Sequence, residues 1–549
     1  MEPLPVPPEV LELNVFLDTS TIFNVIPPCI SSPIQIWPLA SLLRGHPDQN
    51  LVHFLLQGFI SGFDIGYEGP RTSTQPRNLL SARREVLGVT EAIQTELQRG
   101  HSAGPFNSPP FPCFHCSPLG AVEKSNSSFR LILDLSSPRG QSINEGISKE
   151  KFSVTYSRFD DAVDIVRDLG PSCFMGKLDV KHAFRLCPVR PEDFPLLGFS
   201  WLGQFYFELR LPFGSRSSPF IFNSLADAVS YILVVVFGIQ CLIHYLDDFF
   251  IANLDEHSCH SDMQKAVQAF SLLGIPVALD KLIGPLQCIT YLGIEIDAAS
   301  GIVRLPLRKL EELHSLLAVW LQRSKCKKRH LLSLIGKLSF AAKVVKPGRL
   351  FLRRLVDLST TVSRVNHHIH LNREAKADIR WWHDFLSVWN GVSIIHEPPC
   401  SDWDLSFATD ACRYIGCGGT FGNHWFHTTW PQQFVSLEIA PKELFAILVA
   451  VYVWKDELKN KQIVLNTDSM ACYQVWRFGV ARDPNMMRFM RPLFSICALH
   501  NINLLLNHIP GHTNVLADLL SRSFIQKFRE EHPSADPTPS PIPSIVWTF

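Results

Sequence analysis

Hydrophobic residues change their spacing along the chain, and these changes divide the sequence into three regions. The first, residues 113–297, alternates strand-like and helix-like spacing, which is typical of a mixed domain with an antiparallel sheet. The second, residues 306–357, repeats apolar residues at helical spacing, and in the third, from Trp403, strand patterns return. The expected elements include strands at Phe129–Leu135, Cys173–Leu178, Ile239–Tyr245 and Ile463–Thr467, and helices at Pro219–Val236 and from Pro441. The pattern therefore predicts an α+β multidomain protein.

Changes in composition set the expected domain boundaries. The tail that begins at His532 (HPSADPTPSPIPSIVWTF) is rich in proline and is expected to be extended and mobile. Residues near 15–85 mix short apolar runs with Gly and Pro and carry no recognisable chemistry. The expected segments are an N-terminal extension (1–85), a mixed domain (86–300), a basic helical domain (301–360), a Trp-rich connection (361–400), a second mixed domain (401–525) and a disordered Pro-rich tail (526–549).

Charge is balanced over the whole chain and unbalanced in the helical domain. The 51 basic and 51 acidic side chains cancel, so net charge gives no sign of a polyanionic partner. Within residues 304–354 only Glu311 and Glu312 oppose the basic residues, and such a local excess is typical of a phosphate-binding surface, although a solvated helical face is the alternative. The basic residues are Arg304, Arg308, Lys309, Arg323, Lys325, Lys327, Lys328, Arg329, Lys337, Lys343, Lys346, Arg349, Arg353 and Arg354.

Cysteine spacing and the N-terminal residues bear on the compartment. The 14 cysteines follow no disulfide framework, and the start MEPLPVPPEV lacks the parts of a secretory signal. These features predict an intracellular protein, in the cytoplasm or the nucleus, that is not secreted. Cys113 and Cys116 (CFHC) have zinc-knuckle spacing, but no second pair matches them, so a metal site is not expected there. The apolar run Ala228–Ile243 is short for a bilayer span, so no membrane partner is expected.

Three aspartates of the first mixed domain form the first candidate site. Asp179 (GKLDVKHAF) ends an apolar strand, and Asp247 and Asp248 (HYLDDFF) lie at a hairpin tip between hydrophobic strands. Adjacent aspartates between buried strands carry a high desolvation cost unless a cation lies beside them. Nucleotidyl transfer with two metal ions needs carboxylates that converge from different strands. A turn that uses Asp for local hydrogen bonds is the alternative.

Four acidic residues of the C-terminal mixed domain repeat this pattern. Asp410 (SFATDA) and Asp468 (VLNTDS) end strands, Glu443 lies in the first turn of a helix, and Asp518 (IPGHTNVLADLLSR) lies near the start of a final helix. Glu438 competes with Glu443, and the helical register favours Glu443. Four unrelated surface acids are the alternative, but each of the four lies beside a turn that would expose it.

Five motifs of the first mixed domain resemble, in order, the fingers and palm of reverse transcriptases. The resemblance implies that Asp179 and Asp247 bind two magnesium ions, with Asp248 as the third carboxylate. Adjacent residues of a strand point to opposite faces, so Asp247 ranks above Asp248. The motifs are GAVEKSNSSFRLILDLS (120–136), LDVKHAF (178–184), LPFGSRSSPFIFN (211–223), YLDD (245–248) and YLGIEID (291–297).

The same resemblance implies the nucleotide contacts. Lys124 and Arg130 would contact the incoming triphosphate, and Gly214 would let the backbone approach the base pair. Phe184 would abut the sugar and exclude a 2′-hydroxyl, and an ordinary core phenylalanine is the alternative. Phe213 stands where some relatives carry a polar residue.

The second set of acids resembles that of ribonuclease H, which hydrolyses the RNA strand of an RNA–DNA hybrid with two metal ions. His512 matches the mobile histidine of that family. The implied metal ligands are Asp410, Glu443, Asp468 and Asp518. Two Mg²⁺ ions are implied in each active site, with Mn²⁺ as an alternative because hard oxygen ligands accept both.

Three further segments resemble DIRS-type retrotransposons, the class that integrates with a tyrosine recombinase. The segments are GFISGFDIGYEGPR (58–71), GKLSFAAKVVKPGRLFLRRLVDLS (336–359) and DIRWWHDFLSVWNG (378–391). The implied architecture is a right-hand polymerase with fingers, palm and a basic thumb, followed by an RNase H-like α/β domain. A recombinase, a protease and a gag-like zinc knuckle are not visible and are expected to be encoded elsewhere.

Together these features predict an RNA-directed and DNA-directed DNA polymerase with RNA–DNA hybrid ribonuclease activity, which copies retroelement RNA into DNA. Its expected partners are an RNA template, a DNA primer, an RNA–DNA hybrid and dNTPs, held through backbone and shape rather than sequence. Two alternatives stay open: a non-catalytic nucleic-acid-binding relic of a transposon, and an enzyme with one of the two sites active. The oligomeric state and the identity of primer and template do not follow from the sequence.

Overall fold

The computed structural model describes residues 31–123, 128–388, 391–393, 406–479, 481 and 483–549. The chain divides into two compact units, residues 1–292 and residues 293–549. The helices of the first unit are α1 (Ile36–Leu42), α2 (Gln49–Ser61), α3 (Leu80–Arg84), α4 (Val86–Gln98), α5 (Phe159–Leu169), α6 (Ser218–Tyr231) and α7 (Glu256–Leu273). Its strands are β1 (Ser102–Phe106), β2 (Leu119–Glu123), β3 (Phe129–Leu133), β4 (Phe174–Asp179), β5 (Gly198–Trp201), β6 (Gln204–Glu208), β7 (Leu242–Tyr245), β8 (Asp248–Asn253), β9 (Ile283–Leu286) and β10 (Cys288–Tyr291).

An antiparallel sheet of four strands, in the order β7-β8-β4-β9, lies at the centre of the first unit. The four middle residues of β8 (FFIA) are buried on both faces of the sheet, because Phe249 packs on Phe270 of helix α7 and Phe250 packs on Tyr291. The smaller sheets are β1-β6-β5 and the hairpin β2-β3. The strands predicted at Phe129–Leu135, Cys173–Leu178 and Ile239–Tyr245 are confirmed as β3, β4 and β7, with shifted ends.

The described part of the predicted N-terminal extension belongs to the core of the first unit. Leu39 of α1 and Leu55 and Phe59 of α2 are buried in the same hydrophobic cluster as the sheet strands. Helix α2 begins at an effective cap, because the Asp48 carboxylate accepts hydrogen bonds from two backbone N–H groups at 3.0 Å each. The expected boundary at residue 85 therefore does not separate two cores.

Helix α6 is followed directly by a π-helical turn, Ile232–Val236, and together they confirm the helix predicted at Pro219–Val236. By length and composition Ser218–Val236 is apolar enough to cross a membrane, and 50% of its most apolar window is buried inside the protein. Ile221, Leu225 and Val229 follow helical spacing and are buried in the core of the first unit. The apolar character of this helix is thus used in packing.

The second unit starts at Gly293, close to the boundary expected at residue 300. Its helices are α8 (Leu307–Gln322), α9 (Lys328–Ala341), α10 (Arg353–Thr360), α11 (Arg373–Val388), α12 (Ile439–Val453), α13 (Met470–Phe478), α14 (Pro484–Leu499), α15 (Val515–Ser521) and α16 (Ile525–Glu531). Its strands are β11 (Ile294–Asp297), β12 (Ile302–Arg304), β13 (Lys325–Lys327), β14 (His368–His370), β15 (Val392–Ser393), β16 (Ala408–Ala411), β17 (Gly416–Phe421), β18 (His424–Thr429), β19 (Gln462–Thr467) and β20 (Asn503–His508).

The helical region predicted from leucine spacing is confirmed by α8 and α9. Leu313, Leu317 and Trp320 form the buried face of α8, and Leu331 and Leu334 begin that of α9. Three short antiparallel pairings accompany these helices: β12 pairs with β11 and with β15, and β13 pairs with β14.

Helix α11 contains most of the Trp-rich connection. The Trp381 ring stacks on Phe351 with centroids 3.6 Å apart, and its Nε1 donates to the Ser495 hydroxyl at 2.9 Å. Trp389 lies outside the described residues. These contacts tie α11 to α14 in the second unit.

A five-stranded sheet in the order β18-β17-β16-β19-β20 lies in the C-terminal part of the second unit. Strands β16, β17 and β18 are antiparallel, whereas β16, β19 and β20 are parallel. Residues Leu444–Val451 of α12 are all fully buried, so this helix is apolar on every side rather than along the single stripe expected. It begins at Ile439, which places Glu443 in the second turn and corrects the expected first-turn position.

The Pro-rich tail differs from the mobile, disordered segment expected at residues 526–549. Helix α16 places Phe528 in a buried cluster with Trp425, Leu520 and Ala535. The extended chain that follows is held by hydrogen bonds, since the Ser540 N–H donates to the Trp425 carbonyl at 2.7 Å. Prolines exclude a long helix, but they leave an extended chain free to bind through its other residues.

The end of the tail binds through aromatic residues. The Trp547 ring lies 5.5 Å from Phe434 and 5.3 Å from Phe445, measured between centroids. The Arg488 Nε donates to the Phe549 carbonyl at 2.6 Å, and Val546 is fully buried. Apolar anchors thus offset the entropy cost of ordering the tail.

Candidate active sites

The first acidic cluster lies at one end of the central sheet of the first unit. Strands β4 and β8 pair so that Asp179 and Asp248 are directly opposite each other. The hairpin between β7 and β8 turns in two residues, Leu246 and Asp247, and Leu246 has a left-handed φ of 53°. The Asp247 carbonyl accepts a hydrogen bond from the Val180 N–H at 3.0 Å. The bent turn therefore holds all three aspartates at the same sheet end.

Burial and neighbouring charge raise the pKa of the two aspartates of the hairpin. Burial, together with the charges of Asp248 and Asp179, raises the pKa of Asp247 to about 6. Burial also raises the pKa of Asp248. The Lys281 ammonium contacts both oxygens of Asp179, at 3.0 and 3.1 Å. Lys177 also acts on Asp248, and two lysines for three carboxylates leave an excess of negative charge, which fits hard divalent cations.

Aromatic rings and an arginine lie near this cluster. Phe184 is half-buried on the 3-10 turn that follows β4, and its ring centroid lies 5.1 Å from that of Phe213. The guanidinium carbon of Arg130, on β3, lies 5.1 Å from the Phe213 ring centroid. The structure thus brings these three predicted nucleotide contacts together, whereas Lys124 lies outside the described residues.

Gly214 follows Phe213 in a conformation that excludes a side chain. Its φ is 117°, and a Cβ atom at this position would lie 2.1 Å from the Leu133 carbonyl oxygen. The close approach places the loop directly against the end of β3.

Asn144 fastens this loop through its side chain. Its Nδ2 donates to the Gly214 carbonyl and to the Ser136 hydroxyl, both at 2.8 Å, and its Oδ1 accepts from the Arg216 N–H at 2.8 Å. Buried polar groups of this kind fix one conformation when all their partners are present.

The second acidic cluster lies in the C-terminal sheet of the second unit. Asp410 is on β16, Glu443 on α12, and Asp468 directly after β19. Each offers one carboxylate oxygen within 4.8 Å of the others, and no other group of three His, Cys, Asp or Glu side chains in the described part of the chain meets this criterion. Three distant sequence segments therefore converge because β16 and β19 are parallel neighbours and α12 packs on β16.

Burial dominates the electrostatics of the second cluster. It raises the pKa of Asp410 to about 6 and that of Glu443 well above its usual range, and the charge of Asp468 adds to both shifts. The Glu443 Oε2 is buried without a hydrogen-bond partner among the described residues. An unpartnered buried carboxylate oxygen beside two further carboxylates fits a divalent cation, and the donor set suits Mg²⁺ or Mn²⁺.

The other predicted residues of this site lie around the trio. Asp518 is paired with Arg522 at 2.7 Å and stands outside the group of three. His512 is exposed on a 3-10 turn whose first residue, Gly511, packs near the Asp468 carboxylate. Glu438 is exposed and pairs with Arg413 at 3.5 Å, so the choice of Glu443 over Glu438 agrees with the geometry.

The basic helical region is less positive than its count of basic residues indicates, because carboxylates within it and on either side of it neutralise part of the charge. Lys325, Arg329, Lys337 and Lys343 are exposed and have no acidic partner in the part of the chain that the structure describes. The neutralising pairs are Arg304 with Glu295 and Asp297, Arg308 with Glu312, Arg353 with Asp357, and Arg354 with Asp378.

Sequence reasoning missed two residues that support the first site, Lys281 and Asn144. Lys281 contacts a carboxylate 102 residues away in sequence, and no local pattern marks such a pair. Asn144 lies in a short 3-10 turn of ordinary composition, 70 residues from the glycine that it contacts.

Comparisons with known proteins agree with this geometry. Residues 122–296 match the family model described as reverse transcriptase (RNA-dependent DNA polymerase). The chain is 25% identical over 213 residues to the Pro-Pol polyprotein of Simian foamy virus type 3 (strain LK3), covering 37% of this chain and 17% of that protein. It is 24% identical over 296 residues to the retrovirus-related Pol polyprotein from transposon opus of Drosophila melanogaster, covering 49% and 27%.

A solved structure of foamy viral protease-reverse transcriptase in complex with double-stranded DNA is similar with a TM-score of 0.49 at 16% identity, covering 81% of this chain and 72% of that one. The chain spans less than a third of the length of the curated relatives named above. Residues 122–296 form a reverse transcriptase domain, in a chain homologous to the Pol polyproteins of retroviruses and retrotransposons.

Proposed function

We propose that the chain is an RNA-directed and DNA-directed DNA polymerase that extends a DNA primer with dNTPs. The observation that carries the proposal is the convergence of Asp179, Asp247 and Asp248 at one sheet end of a reverse transcriptase domain. Burial raises the pKa of Asp247 and of Asp248, which is the electrostatic signature of a site completed by cations.

Asp179 and Asp247 would hold two Mg²⁺ ions with Asp248 beside them. Bound there, the ions would activate the primer 3′-hydroxyl and balance the charge of the departing pyrophosphate. Lys281 orients the Asp179 carboxylate through its two contacts. Lys124 and Arg130 would contact the triphosphate. The Phe184 ring would exclude a ribose 2′-hydroxyl, and the Phe213–Gly214 loop would position the base pair.

Primer extension on an RNA template, with Mg²⁺ and dNTPs, tests this proposal. Loss of a metal ligand removes several kcal/mol of transition-state stabilisation, so Asp247→Asn is expected to lower the rate by about a hundredfold or more. Asp168→Asn, at an exposed surface position, serves as the matched control and should extend at the wild-type rate. Equal rates for wild type and Asp247→Asn would refute the assignment. No extension by folded wild-type protein that still binds hybrid would favour the transposon relic.

We propose a second activity, hydrolysis of the RNA strand of an RNA–DNA hybrid, at the Asp410, Glu443 and Asp468 cluster. The supporting observation is the convergence of three carboxylate oxygens within 4.8 Å around the unpartnered Glu443 Oε2. Asp518 would complete the ligand set on release from Arg522. The exposed His512 would act on the product side.

Measurement of hybrid cleavage by two variants, Glu443→Gln and Glu438→Gln, tests whether the acidic cluster itself is required. Glu443→Gln is expected to abolish cleavage and to leave primer extension unchanged, whereas Asp247→Asn should do the reverse. Glu438→Gln changes an exposed residue five positions away and should retain both activities. Cleavage by Glu443→Gln at the wild-type rate would remove this residue from the mechanism, and an enzyme with one active site would remain.

We further propose that the chain derives from a DIRS-type retrotransposon and acts on an RNA template, a DNA primer and the hybrid formed between them. The support is the resemblance of residues 58–71, 336–359 and 378–391 to that group. Exposed basic residues of α9, such as Lys337, would contact the backbone of the duplex. A tyrosine-recombinase gene beside the coding region would agree with this origin, and an integrase gene of the retroviral type in its place would contradict it.

A further inference from the structure

Helix α12 contains a fully buried lysine, Lys442, directly before the glutamate of the second acidic cluster. Its Nζ donates to the Arg413 carbonyl at 2.7 Å and to the Val435 carbonyl at 3.2 Å, and it lies 5.5 Å from the Trp430 ring centroid. No carboxylate forms an ion pair with Lys442 among the described residues, and the nearby Glu438 pairs with Arg413 instead. Two backbone carbonyls and an aromatic face thus take the place of a counter-ion.

A lysine at this position costs free energy that an apolar side chain would not. Burial, and then the charge of Arg413, lowers the pKa of Lys442, because both oppose its charged form. Residues Leu444–Val451, which follow it along α12, are apolar and fully buried, so a methionine would suit the packing of the helix. The amine is therefore better explained by its hydrogen bonds than by packing.

The hydrogen bonds of Lys442 hold the loop between β16 and β17, residues 412–415. This loop directly follows the strand that carries the first aspartate of the cluster. Trp430 holds the same loop through both of its nitrogens: its Nε1 donates to the Cys412 carbonyl at 2.7 Å and its backbone N–H to the Ile415 carbonyl at 3.0 Å. Together with Lys442, these contacts engage three of the four carbonyls of the loop from outside it.

Lys442 and Glu443 reach the end of β16 in different directions. Adjacent residues of an α-helix point about 100° apart around its axis. Lys442 contacts the loop after β16, whereas a carboxylate oxygen of Glu443 lies within 4.8 Å of those of the two aspartates. Apolar packing is not directional, so it defines the rotation of α12 about its own axis only weakly. The directional contact of Lys442 defines this rotation, and with it the position of Glu443.

We propose that Lys442 is a positioning residue for cation binding at the second acidic cluster. By holding the loop after Asp410 against α12, its Nζ fixes the separation of Asp410 and Glu443 at which one divalent cation contacts both carboxylates. Groups that orient metal ligands without touching the ion change metal affinity by about 10–100-fold when they are removed. The proposal rests on the proposed ribonuclease site, but it concerns cation binding, which is measured without substrate.

Isothermal titration of the full chain with Mn²⁺ tests the proposal, in an Asp247→Asn parent that lacks a ligand of the first site. Lys442→Met keeps the length of the side chain without its donors and is expected to weaken Mn²⁺ affinity about tenfold. Glu443→Gln should abolish the same binding and so identifies it with this cluster. Lys455→Met is the matched control, because Lys455 lies just after α12 and contacts the Tyr452 ring at 4.9 Å, and this variant should bind as the parent does.

Equal Mn²⁺ affinity in Lys442→Met and the parent, or an equal loss in Lys455→Met, would overturn the proposal. Trp430→Phe decides the outcome if Lys442→Met does not fold. It removes the Nε1 donor to the same loop and should weaken Mn²⁺ affinity about threefold or more. An unchanged affinity in folded Trp430→Phe would then overturn the positioning role.

Hybrid cleavage separates this inference from the proposed activity. Lys442→Met should need about tenfold more Mg²⁺ for half-maximal cleavage, with an unchanged KM for the hybrid and a wild-type kcat at saturating Mg²⁺. A kcat lowered equally at every Mg²⁺ concentration would show a general structural defect and overturn the proposal. Mn²⁺ binding that depends on Lys442, in a chain that does not cleave hybrid, would refute the ribonuclease activity and leave the positioning role intact. Mn²⁺ binding that Glu443→Gln leaves unchanged would overturn both.

Discussion

At Gly214 the backbone and a neighbouring carbonyl leave no room for one additional carbon atom. A Cβ atom would lie 2.1 Å from the Leu133 oxygen, at a φ of 117°. Gly214→Ala is therefore expected to destabilise the fold by about 1–3 kcal/mol and to raise the KM for dNTPs about tenfold, because the loop must move away from β3. Urea unfolding and steady-state primer extension measure the two effects.

Gly203 provides the matched control for that substitution. It also has a left-handed φ, 83°, but a Cβ atom added there would meet no other atom within 4 Å. Gly203→Ala should cost only about 1–2 kcal/mol of backbone strain and leave the KM unchanged. A wild-type KM in Gly214→Ala would show that the loop does not contact the nucleotide.

Asp378 gives a second residue-level prediction, in the dependence of stability on pH. Burial raises its pKa to about 6, and the charges of Arg491 and Arg354 offset this only partly, at 3.2 and 3.4 Å. A carboxyl with a raised pKa stabilises the fold below its unfolded pKa of about 4, and this contribution is lost as pH rises through 6.

Asp378→Asn removes this titration. The stability of the variant relative to wild type should therefore improve by about 2 kcal/mol between pH 4.5 and 7.5. Urea unfolding at pH 4.5, 5.5 and 7.5, with the exposed Asp456→Asn as control, measures the difference. A difference that does not change with pH would mean that the two arginines fully compensate the buried charge.

At the scale of elements, the Asn144 side chain joins the end of β3 to the loop before α6. Asn144→Ala removes three hydrogen bonds of 2.8 Å that are made by a buried side chain. A loss of about 1–3 kcal/mol in stability and a higher KM for dNTPs are expected. Asn253→Ala, which removes two side-chain hydrogen bonds elsewhere in the first unit, should lower stability without a change in KM. An unchanged KM in Asn144→Ala would contradict the role of Asn144 in holding the loop.

The local spacing of hydrophobic residues is sufficient to predict most of the helices and strands that hold the candidate site residues. Apolar runs in the sequence predict the strands that end at Asp179 and just before Asp468, and β4 and β19 confirm them. Helix α12 lies where its apolar pattern predicts a helix, but its all-round burial depends on the sheet on one side and the tail on the other. The contact between Lys281 and Asp179 depends on tertiary pairing alone, so no sequence window contains it.

At the scale of the whole molecule, the tail is expected to stabilise the second unit. Truncation after Glu531 removes Trp547 from Phe434 and Phe445 and frees the Trp425 carbonyl. Val546 is fully buried and Trp547 is half-buried, so their loss is expected to cost about 3 kcal/mol or more and to lower the Tm of the second unit by several degrees. Calorimetry gives the Tm, and hybrid cleavage should be lost at a lower temperature than in the full chain.

A tail that only lies on the surface would give a different result. Primer extension by the truncated chain provides the internal comparison, because Asp179, Asp247 and Asp248 belong to the first unit. Unchanged Tm and cleavage after truncation would show that residues 532–549 do not contribute to folding. The single substitution Trp547→Ala should reproduce about half of the effect or more.

Composition does not predict that the tail is ordered, because its proline content indicates only that a long helix cannot form. The four apolar residues Ile545, Val546, Trp547 and Phe549 follow the last proline, and the Trp547 and Phe549 rings reach aromatic residues far earlier in the chain. For a related reason, the sequence does not show that residues before position 85 share the core of the first unit. Boundaries follow shared cores, and a core is defined by contacts between distant segments.

The direct pairing of Asp179 with Asp248 is expected to make the stability of the β7–β8 hairpin depend on bound cations. Like charges opposite each other on paired strands weaken that end of a ladder. The Val180 amide, whose hydrogen bond to Asp247 closes the ladder at this point, should open more often when no cation screens the pair. Its hydrogen–deuterium exchange would then slow as divalent ions bind. The exchange rate of this amide would therefore measure cation binding at the proposed polymerase site in the absence of substrate.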